Sequence, residues 1–90
     1  MTDGGLWSLE VAPSAVRGLE RLPHKVAAAM VEFITGALTE NPVRVSKPLT
    51  ADLHGLRSAR RGDYRILFSL DEQDRVVLVV RVAHRADAYR

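Results

Sequence analysis

The sequence predicts a single α+β domain in the order β-α-α-β-β-β, with a helical hairpin packed on one face of a mostly antiparallel four-stranded sheet. Three observations lead there. Ninety residues are the length of one domain, 1–90. Two adjacent stretches in the first half repeat apolar residues at helical spacing. Three stretches with strand character, parted by short turns, fill the second half.

Each element follows from local pattern. Residues 1–5, MTDGG, carry nothing to bury and are expected to be disordered. Trp7, Leu9 and Val11 then alternate with Ser8 and Glu10, the period of a half-buried strand. Pro13 ends it, and Ser14 is the expected N-cap of a short helix over 15–22 with Val16, Leu19 and Leu22 on one face. Gly18 weakens that helix, and Pro23 separates it from the next. The second helix is expected from His24 to Thr39, with Val26, Met30, Phe33 and Ala37 recurring and Ile34 and Leu38 beside them. Asn41-Pro42 stops it. Residues 42–54 read as a linker with two prolines. Strands are expected over 55–61, 64–70 and 76–82, joined by turns at Gly62-Asp63 and at 71–74. The tail, 83–90, is short and basic.

Composition narrows the class. The chain is 47% hydrophobic and holds no cysteine, which excludes a disulfide framework and thiolate chemistry. No signal peptide and no membrane span are legible, so a soluble, cytoplasmic protein is expected. The three histidines are scattered and no carboxylates cluster, so neither a metal nor a cofactor is expected. No Gly-rich phosphate loop is present. Net charge is only +2, but nine of the thirteen Lys and Arg fall after residue 45. Such one-sidedness is a possible nucleic-acid footprint.

The strongest concentration is RSARRGDYR, residues 57–65, with four arginines in nine positions. It could be a solvated turn. Strand alternation gives it more content. Tyr64, Ile66, Phe68 and Leu70 share one face, and Arg65, Leu67 and Ser69 the other. In the last strand Val76, Leu78, Val80 and Val82 oppose Val77, Val79 and Arg81. Being apolar on both sides, that strand belongs inside the sheet. Arg65, with Ser58 and Arg60, should therefore line a basic sheet face, rimmed by His84, Arg85 and Tyr89 from the tail. Arginine forks bind phosphate oxygens and keep their charge. They can also stabilise the extra charge of a phosphoryl transition state. His84 can exchange a proton near neutral pH, and Tyr89 can stack on a base or donate a proton. Arg57, Arg60, Arg61 and Arg81 are the candidates for further contacts to RNA.

LRSARRGDYRILFSLD and VVRVAHRADAYR resemble the RelE/ParE superfamily of toxins from bacterial toxin–antitoxin modules. RGLERLPHKVAAAMVEFI and ENPVRVSKPLTADLHGL fit the same pattern, in the same order, so the likeness spans nearly the whole chain from Leu6. GDYRILF and HRADAYR sit nearer the RelE branch, particularly mycobacterial RelE-like toxins. The resemblance implies the RelE fold. It also implies an mRNA interferase that enters the ribosomal A site and cuts the messenger without metal. The RNA 2′-hydroxyl attacks the adjacent phosphate, leaving a 2′,3′-cyclic phosphate and a 5′-hydroxyl. The implied partners are a RelB-type antitoxin, messenger and ribosome, with operator DNA met only through the antitoxin complex.

Residue by residue, Arg65 matches the family's phosphate-holding arginine, and Arg85 its transition-state arginine. Tyr89 matches its C-terminal tyrosine, at a shorter spacing from Arg85, and Arg60 a basic strand position. Where the family carries lysines on the strand before the turn, this chain has Leu56 and Ser58. His84 is the candidate base in their place. Two alternatives stay open at this point: a ParE-like inhibitor of DNA gyrase that does no chemistry, and a non-toxic member that binds antitoxin and DNA.

Overall fold

The computed structural model describes residues 6–50 and 55–89; the disorder expected for 1–5 lies outside them. Strand β1 (Ser8–Val11) leads into helices α1 (Pro13–Glu20) and α2 (His24–Phe33). Strands β2 (Ser46–Pro48), β3 (Arg57–Arg61), β4 (Tyr64–Asp71) and β5 (Val76–His84) follow. Among the described residues the sheet has five strands rather than four, in the order β1-β5-β4-β3-β2. Only β1 with β5 is parallel; the other neighbours are antiparallel. The additional strand, β2, lies in the stretch expected to be a linker. It is three residues long and ends on Pro48 at the sheet's edge, where a missing N–H breaks no ladder.

Helix α1 begins at Pro13, not after Ser14, and its N-cap is Ala12 in extended conformation. Proline suits a first helical position, since its ring presets φ and its absent N–H has no helical partner to lose. The Ser14 hydroxyl instead donates to the Val80 carbonyl at 2.6 Å. The register of β4 against β5 explains why that carbonyl needs it. Leu67 pairs with Arg81 but Phe68 pairs with Val79, so Val80 is an extra residue in a β-bulge. The bulge also breaks the simple alternation expected for this strand. Val82 joins Val77 and Val79 in the core instead of facing away from them.

The core lies between this sheet face and the helices. Ala15, Met30, Ile34 and Leu38 meet Ala59, Ile66, Phe68, Val77, Val79 and Val82. Two helical expectations shift. Val16 is 41% exposed, and Ala15 takes the buried position on α1. Beyond Phe33 the helix widens into a π-turn, Ile34–Leu38, which keeps Ile34 and Leu38 inward and leaves Ala37 exposed.

Gly18 is where α1 touches the sheet. A Cβ there would run into the Val82 carbonyl oxygen, so the helix could not lie where it does. Alanine is the better helix former by about 1 kcal/mol, but a backbone clash of this kind costs roughly 1–3 kcal/mol. Gly18→Ala is therefore expected to destabilise the protein, read as a lower urea midpoint at unchanged slope.

Candidate functional site

The arginine-bearing hairpin is built on a two-residue turn. Arg61 pairs with Tyr64, and Gly62 between them has φ of 60°, a conformation open to glycine. One step further in, Arg60 pairs directly with Arg65. Like charges opposed across a ladder destabilise a sheet by a few tenths of a kcal/mol or more. Both side chains open onto a cleft of about 630 Å³ whose lining also includes Arg44, Lys47, Ser58 and Tyr89. Among the described residues the lining holds four cationic side chains and no carboxylate. Tyr89 is 47% exposed. Its hydroxyl hydrogen-bonds with the Ser58 hydroxyl at 2.9 Å. The Arg65 guanidinium leans back on the turn, with Nη1 donating to the carbonyls of Tyr64 at 3.1 Å and Gly62 at 3.4 Å.

The C-terminal tail closes one side. The Arg85 N–H donates to the Asp63 carbonyl at 2.8 Å, which places Arg85 at the same hairpin turn as Arg65, with its side chain exposed. Arg81 Nη2 donates to the Asp87 carbonyl at 2.9 Å and ties the tail to β5. Ala88 and Leu67 are both buried outside the main core.

The other candidates part company here. Arg57 pairs with the core residue Phe68 and spends its guanidinium on the β2 segment. Its Nε donates to Ser46 Oγ at 2.7 Å and its Nη2 to the Ser46 carbonyl at 3.3 Å. Arg57 is thus a clamp that holds β2, and does not line the cleft. Arg61 turns toward α2, with Cζ 5.9 Å from the centre of the Phe33 ring. Arg81 and His84 line a separate depression of about 460 Å³ beside α1, with Arg21 and Tyr64.

His84 therefore does not meet Arg65. It pairs with Tyr64, and the two rings pack edge to face at 5.5 Å on the side of the sheet where Tyr64 meets the core. Its Nδ1 accepts the Ala86 N–H at 3.1 Å. In the neutral ring that leaves the proton on Nε2, with the only lone pair already engaged. The expected gathering of His84 with Arg65 and Tyr89 on one face is thus corrected: Tyr89 is there and His84 is not.

Arg44 and Lys47 were missed by sequence reasoning. They come from the 42–50 stretch, where two prolines mask a weak alternation, Val43-Arg44-Val45-Ser46-Lys47. Register brings Lys47 in, opposite Ser58; Arg44 lies just before β2 and lines the cleft from there.

Comparison with known proteins agrees with this architecture. The family model described as ParE toxin of type II toxin–antitoxin system matches residues 9–89. Toxin RelE of Mycobacterium tuberculosis is 46% identical over 90 residues, covering 100% of this chain and 93% of that protein. Toxin RelG of the same organism is 45% identical over 84 residues, covering 93% and 97%. The structure of the RelBE2 toxin–antitoxin complex from M. tuberculosis matches with a TM-score of 0.86 at 42% identity, over 89% of this chain and 99% of that one. The RelE–RelB complex of Pyrococcus horikoshii matches with a TM-score of 0.71 at 27% identity, over 92% and 99%. By sequence and fold, this chain belongs to the ParE-toxin family within the RelE/ParE superfamily, and it is a type II toxin.

Proposed function

We propose that this toxin is a ribosome-dependent endoribonuclease that cuts messenger RNA in the A site through attack by the RNA's own 2′-hydroxyl. The observation that supports it most is the basic cleft, with Arg60 and Arg65 opposed across a ladder and no carboxylate among the described residues of the lining. A phosphodiester relieves that repulsion and fills the cleft with the charge it lacks. Arg65 and Arg60 hold the phosphate. Arg85, at the same turn, meets charge that builds in the transition state. Tyr89 offers an exposed ring for a base to stack on, worth about 1–3 kcal/mol per base. His84 is left out of this assignment, because its ring faces the core side.

A RelB-type antitoxin is the proposed partner, on the ground that similar toxins occur in complexes of that kind. Operator DNA is then reached only through that complex. In the second reading the toxin binds gyrase and does no chemistry; the ParE description of the matching family model favours it. Primer extension on a defined messenger, with and without programmed ribosomes, separates the two. Cuts within the A-site codon that need the ribosome and disappear when antitoxin is added are expected. Intact messenger together with trapped gyrase–DNA complexes would establish the second reading instead.

A further inference from the structure

We infer that Ser58 is a positioning residue that holds the Tyr89 ring ready for a base to stack on, an inference that rests on the endoribonuclease reading. The ring is half exposed at the end of the chain, where a side chain ordinarily moves among several rotamers. Here it is held at both ends. Its backbone is pinned by Arg81 Nη2 on the Asp87 carbonyl and by the burial of Ala88 beside it. Its tip is held by the hydrogen bond between the Tyr89 hydroxyl and Ser58 Oγ, 2.9 Å across 31 positions of chain. Ser58 makes a fixed post because β3 is paired on both sides. Lys47 of β2 lies opposite it on one side and the buried Leu67 of β4 on the other. Its side chain is short, so little freedom is lost in holding the bond.

The bond is made at the hydroxyl, away from the ring faces on which a base stacks. A base therefore meets a ring already in place, and the ordering of that side chain is completed in folding rather than in binding. Stacking of this kind strengthens the ground state and the transition state alike. Ser58 acts through Tyr89, so its loss should show in binding and not in the chemical step.

The test is single-turnover cleavage on programmed ribosomes with protein concentration varied. It compares wild-type protein with Ser58→Ala, Ser58→Thr, Tyr89→Phe and the double variant Ser58→Ala with Tyr89→Phe. Folding of each is checked by its melting curve. Ser58→Ala is expected to raise the half-saturating concentration roughly 3–10-fold and to leave the limiting rate within about twofold. Tyr89→Phe keeps the ring and loses only the bond, so it should match Ser58→Ala, and the double variant should be no worse than either. Ser58→Thr keeps a hydroxyl and should restore wild-type binding. In the free protein, Ser58→Ala should move the ring-carbon NMR signals of Tyr89 and leave those of Tyr64, which packs on His84, in place. Additive losses in the double variant, or Tyr89 signals unmoved by Ser58→Ala, would overturn the inference alone while wild-type protein still cuts. A loss confined to the limiting rate would overturn it as well. If wild-type protein does not cut at all, the endoribonuclease reading falls and takes this inference with it.

Discussion

Arg65→Ala is expected to slow single-turnover cleavage on programmed ribosomes by about 10²–10³-fold, the usual loss when one preorganised donor to transition-state charge is removed. Three features make Arg65 the most sensitive position. It lies on β4, the middle strand of five, so the sheet fixes its backbone from both sides. It opens onto the cleft opposite Arg60. Its guanidinium is steadied by the carbonyls of Tyr64 and Gly62 and needs little reordering to meet a phosphate. The alanine variant should fold at least as well as wild type, because the change relieves a like-charge pair. An activity loss with an unchanged or raised melting temperature separates a role in binding and chemistry from a role in folding. Lysine at this position should recover only part of the rate, since an ammonium cannot make the bidentate contact of a guanidinium.

Phe68→Ala is expected to have the largest effect on stability, about 3–5 kcal/mol. Phe68 is fully buried and is the largest residue of the core. It sits at the bulge, paired with Val79, where the register of the sheet shifts. Truncation leaves a cavity beneath the helices at the point where the strands can least slide to fill it. Domains of this size are stable by only about 5–15 kcal/mol, so the variant should unfold at a much lower urea concentration. A loss below about 1 kcal/mol would mean that the core can collapse around the site. Phe68 faces away from the cleft, so residual activity per folded molecule should match wild type.

Much of this molecule was legible in its sequence, and the failures have identifiable causes. The α+β class, the three C-terminal strands and the element order apart from β2 follow from period alone. So does the placement of Arg65 with Ser58 and Arg60, because alternation holds along β3 and the first half of β4. Alternation carried past Val80 fails, since a bulge leaves no mark in a run of valines. The same run concealed why Ser14 is there: its hydroxyl serves a carbonyl 66 residues away, not the helix end beside it. Gly18 read as a local weakness and is a contact point with β5.

The site was read in part for a related reason. Counting arginines finds a basic stretch but does not say which ones converge. Arg57, Arg60 and Arg61 are near neighbours in sequence, yet only Arg60 lines the cleft. Lys47 reaches it through β2, an edge strand too short to show a period, and Arg44 from the residues just before it. His84 lay one residue from Arg85 in sequence and was grouped with it; the strand extends to His84 and turns its ring toward Tyr64.

The central claim is that the RNA supplies the attacking group and the cleft supplies only charge and proton transfer. The most direct test places a messenger with one 2′-deoxynucleotide, at the position of the cut, in the A site of programmed ribosomes with wild-type protein. The all-ribose messenger should be cut to a 2′,3′-cyclic phosphate end, and the deoxy messenger should remain whole at that position while still being bound. Cutting of the deoxy messenger at the same bond would contradict the account, because the nucleophile would then have to come from water or from the protein.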